Sequence, residues 1–139
     1  MKNIAKSSSL LLLALLISCG GKEEKKQDGF QVESVIMRHR DPSTNRHSRA
    51  TLCVSSQVGC KMGCKFCATG TLGELGNLTS GEILEQLIHA NRINDVPIRN
   101  VVFMGMGEPL NNYNNVVDAV RMMTSVRGFG LGFKHVTVS

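Results

Sequence analysis

Three cysteines lie within eight residues of one another, at Cys60, Cys64 and Cys67. Their C-x3-C-x2-C spacing differs from the C-x2-C pairs that are typical of structural zinc sites. Three thiolates on one short loop can bind three irons of a [4Fe–4S] cluster and leave the fourth iron open, whereas a cluster with four thiolates is a closed electron carrier. The spacing therefore predicts a cluster that can do chemistry on a bound molecule.

The same thiols allow two other arrangements. With Cys53, four cysteines fall within fifteen residues, and a four-thiolate zinc site or two disulfides would also use them. A cluster suits a reducing compartment, whereas disulfides need an oxidising one. Phe66, directly before the last cysteine of the loop, is either an apolar shield for the cluster and its ligand or an ordinary core aromatic.

Composition limits the chain to one domain with an aliphatic core. The chain has 139 residues, of which 42% are apolar and only 4% aromatic, and its net charge is +5. This charge permits an anionic partner such as nucleic acid but does not require one. The basic and histidine side chains between the first two predicted strands are either phosphate contacts or solvated surface. They are Arg38, His39, Arg40, Arg46, His47 and Arg49.

Residues 1–19 resemble an export signal. Two lysines precede an eight-residue apolar run at 10–17, which is too short for a transmembrane helix but fits a signal sequence. Cys19 ends a segment similar to a bacterial lipobox, and a short amphipathic or buried helix is the alternative. Residues 20–29 have the polar composition of a disordered linker, so residues 30–139 form the predicted domain.

The two parts of the chain predict different compartments. A cluster with an open iron is oxygen-sensitive and belongs in the cytoplasm or an organelle matrix. A lipoprotein signal directs export, with membrane association if Cys19 is lipidated. We expect the first 28 residues to come from a fused or misassigned reading frame. An organelle-targeting extension and an exported lipoprotein with disulfides or structural zinc are the alternatives.

Hydrophobic periodicity predicts alternating strands and helices after the linker. A capping box, with Thr79 at the N-cap and Glu82 at N3, marks the start of the first helix. Residues 101–104 are apolar throughout, as in a strand buried on both faces. The predicted strands are 30–38, 50–55, 101–104 and 134–139, the cysteine loop is 57–76, and the helices are 80–93 and 113–125.

From the second strand onwards this order is βαβαβ, and the predicted fold class is α/β. Such alternation predicts a parallel sheet with right-handed crossovers, here preceded by a short β-hairpin. Ligands of parallel sheets bind at the carboxyl ends of the strands. The cysteine loop, Gly107, Glu108 and Ser139 all follow predicted strands, so the candidate chemistry is expected at one edge of the sheet.

Several segments resemble the RlmN family of the radical S-adenosylmethionine (SAM) superfamily. The cysteine loop is similar to the superfamily signature, and the Gly-Glu-Pro triplet at 107–109 is similar to its second motif. Longer strings are similar to RlmN enzymes: TLCVSSQVGC at 51–60, FCATG at 66–70 and VFMGMGEPLNNY at 102–113. The resemblance covers about residues 32–139 and implies the N-terminal part of a partial (β/α)6 radical SAM barrel with parallel strands.

The resemblance implies two cofactors, a [4Fe–4S] cluster and SAM. Cys60, Cys64 and Cys67 match the cluster ligands. Residues matching SAM contacts are Gly107, Glu108 and Ser139, with Phe66 as the candidate shield. Read without the resemblance, Glu108 is a surface-turn glutamate and Ser139 a plain residue at a strand end.

Two further residues match catalytic roles in the family. Glu33 matches a proposed proton acceptor, and its alternative is an outward-facing strand residue. Cys53 matches the cysteine that helps to resolve a covalent enzyme–RNA intermediate through a disulfide. Its alternative is a buried strand cysteine, which is common for free cysteines.

The RlmN family methylates C2 of adenine in 23S ribosomal RNA and in tRNA, and methylation of adenine C8 in ribosomal RNA is the related alternative. The resemblance also implies an electron donor such as flavodoxin or ferredoxin. In the family a cysteine near the C-terminus carries the methyl group, and no cysteine follows Cys67 here. We therefore expect a truncated enzyme that binds a cluster but does not turn over.

Overall fold

A five-stranded sheet forms the centre of the computed structural model, which describes residues 21–25 as backbone and residues 29–139 in full. The sheet order is β1-β2-β3-β6-β7, and β4 and β5 form a separate two-stranded ribbon. The strands are β1 (Gly21–Lys25), β2 (Gln31–Arg40), β3 (His47–Cys53), β4 (Gln57–Cys60), β5 (Gly73–Asn77), β6 (Ile98–Phe103) and β7 (Val136–Val138). The helices are α1 (Ser80–Ile93) and α2 (Tyr113–Thr124), with 3-10 turns at Thr69–Thr71, Pro109–Asn112 and Phe133–His135.

The parallel half of the sheet follows the predicted βαβαβ order. β3 pairs with β6, and β6 pairs with β7, both in parallel. α1 connects the first pair along the chain and α2 connects the second. β2 and β3 pair in the antiparallel sense. These pairings confirm the α/β class and the preceding β-hairpin.

Helix α1 has the predicted bounds, and its local chemistry explains them. The Thr79 side chain accepts a hydrogen bond from the Glu82 N–H, and the Glu82 carboxylate accepts one from the Thr79 N–H, which completes the capping box. Ile83 and Leu87, one turn apart, are buried in the same core cluster as Leu52 of β3. Burial of this helix face against the sheet fixes where α1 lies.

Strand β6 differs from its predicted burial. Val101 and Phe103 are buried, but Val102 between them is only half-buried and Met104 is 59% exposed. The prediction of burial on both faces is therefore wrong, because the described helices cover one face of the sheet. The other face carries Val102 and, beside it in register, Cys53.

Two segments contain strands that the sequence did not predict. The loop expected over 57–76 is closed at its base by the ribbon of β4 and β5. The linker expected over 20–29 contains β1, which pairs antiparallel with β2 and so satisfies its edge N–H and C=O groups. No described helix is long and apolar enough to cross a membrane. The signal-like segment 1–19 lies outside the described residues.

Candidate functional site

The segments that leave β3 and β6 run side by side at the carboxyl edge of the sheet. The Gly105 N–H donates to the Val54 carbonyl at 3.1 Å, and the Ser56 N–H donates to the Met106 carbonyl at 2.9 Å. The segment after β3 leads to the cysteine loop, and the segment after β6 leads to Gly107 and Glu108. The sheet edge therefore brings the two sequence motifs together, as predicted.

Ser55 joins three strands at this edge. Its hydroxyl donates to the backbone carbonyl of Glu33 at 2.6 Å and accepts from the Met106 N–H at 2.9 Å. Glu33 on β2 is thereby held beside the end of β6. A hydroxyl that is fully buried and bonded on both sides makes this junction rigid.

A cavity of about 390 Å³ opens at the same edge. Glu33 lines it together with Ala68 and Thr69, which directly follow Cys67, and with Met106, which directly precedes Gly107. The predicted proton acceptor, the end of the cysteine loop and the approach to the glycine turn thus share one cavity. Its size is in the range of small-molecule sites.

Within the cysteine loop (57–76), residues 61–72 connect the paired strands β4 and β5, and Cys60 is opposite Gly73 at the base of this connection. Within the loop, the Cys67 N–H donates to the Cys64 carbonyl at 3.1 Å. Cys60 is buried, Cys64 is exposed and Cys67 is half-buried, and all three are free thiols. The ribbon therefore holds the two ends of a loop that carries three available sulfur donors.

The donor set of this loop fits an iron–sulfur cluster. Thiolate sulfur is the ligand that such clusters use, and backbone N–H groups of Gly70 and Thr69 hold the pKa of the Cys67 thiol below its ordinary value. No three His, Cys, Asp or Glu side chains among the described residues are already grouped as metal ligands. The three thiolates of a cluster bind three different irons, so they need not converge on one point as the ligands of a single ion do.

Gln57 is a buried brace between the two motifs, and the sequence analysis assigned it no role. Its side-chain oxygen accepts from the Glu108 N–H at 2.8 Å. Its side-chain nitrogen donates to Asn77 Oδ1 at 2.7 Å and to Glu74 Oε1 at 3.2 Å, both on β5. One fully buried amide thus connects the glycine turn to the ribbon beneath the cysteine loop. A polar residue between the apolar Val54 and Val58 is the sequence signal for such a role.

Two more buried amides support the backbone of this junction. Gln86 of α1 accepts from the Ser55 N–H at 2.8 Å and donates to the Ser55 carbonyl at 2.9 Å. Asn112 donates to the carbonyls of Ser56 and Leu78, both at 2.7 Å. Both side chains come from the helical segments, so they tie the irregular chain after β3 to α1 and to the start of α2.

The turn at Gly107 and Glu108 lies against Gln57. Gly107 has φ of +99°, and a Cβ at this position would come within 2.5 Å of Gln57 Cβ and 2.8 Å of its backbone nitrogen. The Glu108 carboxylate accepts from the Leu110 N–H at 3.1 Å and so caps the 3-10 turn that follows. Asn111, further along, donates to the sulfur of Met62 in the cysteine loop at 3.7 Å. The turn and the loop are therefore in direct contact.

Among the described residues, Glu33 is the one predicted site residue that lines this cavity, and the three candidates that remain lie elsewhere. Cys53 is half-buried at the end of β3, and burial raises the pKa of its thiol. Phe66 is 95% exposed, so the core-aromatic alternative is wrong. Ser139 is exposed at the end of β7, beyond the pairing of Val138 with Phe103. The four described cysteines are free, so the structure gives no support to the predicted disulfides.

We expect Gln57→Leu to lower the free energy of unfolding by about 2–4 kcal/mol, because it leaves the half-buried Glu108 N–H without its partner and removes the bonds of a fully buried amide to β5. Urea denaturation measures this change. Gln31→Leu is the control, since Gln31 is exposed and its change should stay within about 0.5 kcal/mol. Equal effects of the two substitutions would contradict the role of Gln57 as a brace.

Comparison with known proteins gives a consistent set of matches. The radical SAM superfamily model matches residues 54–139. The chain is 51% identical over 116 residues to a probable dual-specificity RNA methyltransferase RlmN of Akkermansia muciniphila, covering 83% of this chain and 32% of that protein. It is 46% identical over 115 residues to ribosomal RNA large subunit methyltransferase N of Nitrosopumilus maritimus, covering 81% and 33%.

A solved structure agrees with these relatives. The crystal structure of a radical SAM methyltransferase from Sphaerobacter thermophilus superposes with a TM-score of 0.75 at 39% identity, covering 85% of this chain and 33% of that one. The chain spans about a third of the length of the curated relatives it matches.

Proposed function

This chain belongs to the radical SAM superfamily, and on that premise we propose that it holds a [4Fe–4S] cluster and SAM for the methylation of adenine in RNA. The observation that carries the proposal is the connection between the cysteine loop and the Gly107–Glu108 turn through Gln57 and through the contact of Asn111 with Met62. A ligand that touches both motifs can be held in one fixed orientation only if the motifs are held together.

Cys60, Cys64 and Cys67 would hold the cluster, with the fourth iron left to SAM. When bound, the cluster supplies one-electron reductive cleavage of SAM. The ribbon of β4 and β5 fixes the base of the loop at Cys60, while Cys64 lies on an exposed part of the loop. The backbone N–H groups that lower the pKa of Cys67 favour the thiolate form that binds iron.

The Gly107–Glu108 turn would bind the amino group of SAM. A backbone carbonyl and a carboxylate are acceptors suited to an ammonium group. In the described structure Glu108 bonds to the Leu110 N–H, and one of its oxygens remains available for a second donor. Gln57 holds the backbone of Glu108 in place, which orients both acceptors.

Glu33 would serve as the proton acceptor. It lines the cavity beside Thr69 and Met106, and its backbone is fixed by Ser55. A general base must lie within reach of the proton that it accepts, and the cavity that Glu33 lines is also lined by residues adjacent to both motifs, which supports this role. Ser139, Phe66 and Cys53 remain predictions as a SAM contact, a shield and a second catalytic cysteine.

The substrate class follows from the relatives. Proteins similar to this chain carry the names dual-specificity RNA methyltransferase and ribosomal RNA large subunit methyltransferase. We propose adenine C2 of 23S ribosomal RNA and tRNA as the target, with adenine C8 as the alternative. A flavodoxin- or ferredoxin-like electron donor and a cytoplasmic location belong to the same proposal, because a reducing compartment preserves the cluster.

Anaerobic reconstitution with iron and sulfide, followed by reduction in the presence of SAM, tests the proposal. We expect bound iron, SAM binding and, from SAM cleavage that is not coupled to methyl transfer, release of 5′-deoxyadenosine measured by mass spectrometry. A colourless product that binds only zinc, or an iron-loaded chain that does not bind SAM, contradicts it. Nucleosides from treated RNA separate the targets: 2-methyladenosine supports C2, whereas 8-methyladenosine supports C8. Either product also contradicts the predicted lack of turnover.

We expect Gly107→Ala to weaken SAM binding by roughly tenfold or more. The new Cβ must displace Gln57 or the turn, and this displacement costs about 1–3 kcal/mol. Equilibrium binding of SAM to the reconstituted chain measures the loss. Gly130→Ala is the matched control because Gly130 also has positive φ, +65°, but nothing lies within 4 Å of its Cβ position. Equal SAM affinity in the two variants would argue against a SAM site at this turn.

A further inference from the structure

The net positive charge of residues 29–139 is concentrated in one hairpin. Residues 38–49 carry four arginines and one aspartate, a net charge of +3, whereas the rest of 29–139 has seven basic and seven acidic residues. The charge of this domain therefore comes from twelve residues at the connection between β2 and β3. The arginines are Arg38, Arg40, Arg46 and Arg49, accompanied by His39 and His47.

Little in the described structure neutralises this hairpin. Residues 38–40 and 42–49 are all exposed. Arg38 is the one hairpin arginine with an ion pair in the described residues, to Asp95 at 3.6 Å, and both partners are exposed. Arg40 donates instead to the neutral Asn45 side chain at 3.1 Å. Asp41 lies near Arg49 but is occupied by bonds from the Ser43 and Thr44 N–H groups.

The hairpin presents arginines on both of its sides. His39 is directly opposite Arg49, and Arg40 is opposite His47 after a β-bulge. Because alternate residues of a strand point to opposite faces, Arg40 points to the other side of the ribbon from His39 and its cross-strand partner Arg49. Arg46 lies in the connection between the strands. An anionic chain can therefore contact the end of the hairpin from several directions.

The hairpin lies far from the cavity. β2 runs from Glu33 at the site to Arg40 at the hairpin, and seven residues of extended chain span about 23 Å. A contact at the hairpin cannot touch the reacting base. It can hold only a part of the ligand that extends beyond the site.

We propose that this hairpin is a docking surface for the phosphate backbone of RNA, an inference that rests on the RNA substrate of the proposed function. Residues 38–49 contain no Phe, Tyr or Trp, so the hairpin has no large aromatic platform for bases, and arginine contacts to phosphate do not depend on base sequence. The segment also has no large apolar side chain to insert into a lipid interface. Its chemistry therefore fits nucleic acid rather than a membrane.

The test measures binding of fluorescently labelled tRNA to the full chain over a range of salt concentrations. We expect Arg40→Gln with Arg46→Gln to weaken binding roughly tenfold at low salt and to reduce the log–log salt slope by about 2, one for each phosphate contact. The matched control is Arg92→Gln with Arg127→Gln, since both residues are exposed and lie outside the hairpin. The control should keep the tRNA affinity and salt slope of the unchanged chain.

Other outcomes overturn the inference. An equal loss in the control pair means that the charge acts diffusely, and an unchanged salt slope in the hairpin pair means that no phosphate is contacted there. Binding to phosphatidylglycerol vesicles without binding to tRNA assigns the hairpin to a membrane. SAM cleavage by each variant is measured in parallel, so that a failed cluster or SAM site is distinguished from a failed docking surface.

Discussion

Cys64→Ala should abolish cluster incorporation, with bound iron falling from about four per chain to near zero. Cys64 lies on an exposed part of the loop, so its side chain contributes little to packing, and the variant should stay folded. Loss of one of only three protein ligands leaves two thiolates, too few to hold a cubane cluster with an open iron. Iron and sulfide analysis and the visible absorption after anaerobic reconstitution measure the effect.

Cys53→Ala is the matched control for this prediction. Cys53 is also a free cysteine, but it lies at the end of β3 rather than in the loop between β4 and β5. We expect this variant to keep its iron. If Cys53→Ala loses as much metal as Cys64→Ala, the site uses four thiolates and the zinc alternative gains support. Far-UV circular dichroism of both variants separates a lost ligand from a lost fold.

Local sequence rules predicted the regular elements well. The bounds of α1 were right because a capping box and an apolar face agree on them. The parallel pairing of β3, β6 and β7 followed from the order of strands and helices. The bounds of α1 are determined by residues close to one another in the chain, and the pairing follows from the order of the elements, so a single sequence is sufficient for both.

The links between elements were harder to predict. Gln57 contacts residues up to 51 positions away, and Ser55 joins β2 to the end of β6. Periodicity does not reveal such bonds, because a buried amide in a short segment looks like any other polar residue. The burial of Val102 was overestimated for a similar reason: its apolar type does not report whether a second layer covers that face of the sheet.

The strongest expected effect on stability comes from substitution of Gly59, in the ribbon beneath the cysteine loop. Gly59 has φ of +73°, and a Cβ at this position would overlap the carbonyl oxygen of Gly73 on the facing strand. That oxygen belongs to backbone and cannot rotate away. Gly59→Ala must therefore separate β4 from β5 or shift their register, next to the pairing of Cys60 with Gly73.

We expect Gly59→Ala to lower the free energy of unfolding by about 3–5 kcal/mol, from the left-handed backbone and the overlap together. This is a large part of the 5–15 kcal/mol that typically stabilises a domain. Because the ribbon positions Cys60, iron incorporation should fall with it. Chemical denaturation measures the first effect, and iron analysis of the folded fraction measures the second.

Gly73→Ala is the closest available control, because it changes the opposite strand of the same ribbon. Gly73 also has positive φ, +69°, but nothing lies within 4 Å of its Cβ position. Its substitution should therefore cost only the backbone strain of about 1–2 kcal/mol and leave the iron content unchanged. The difference between the two variants isolates the overlap at Gly59. Equal losses of stability and iron would mean that the close approach of β4 and β5 does not hold the cysteine loop in place.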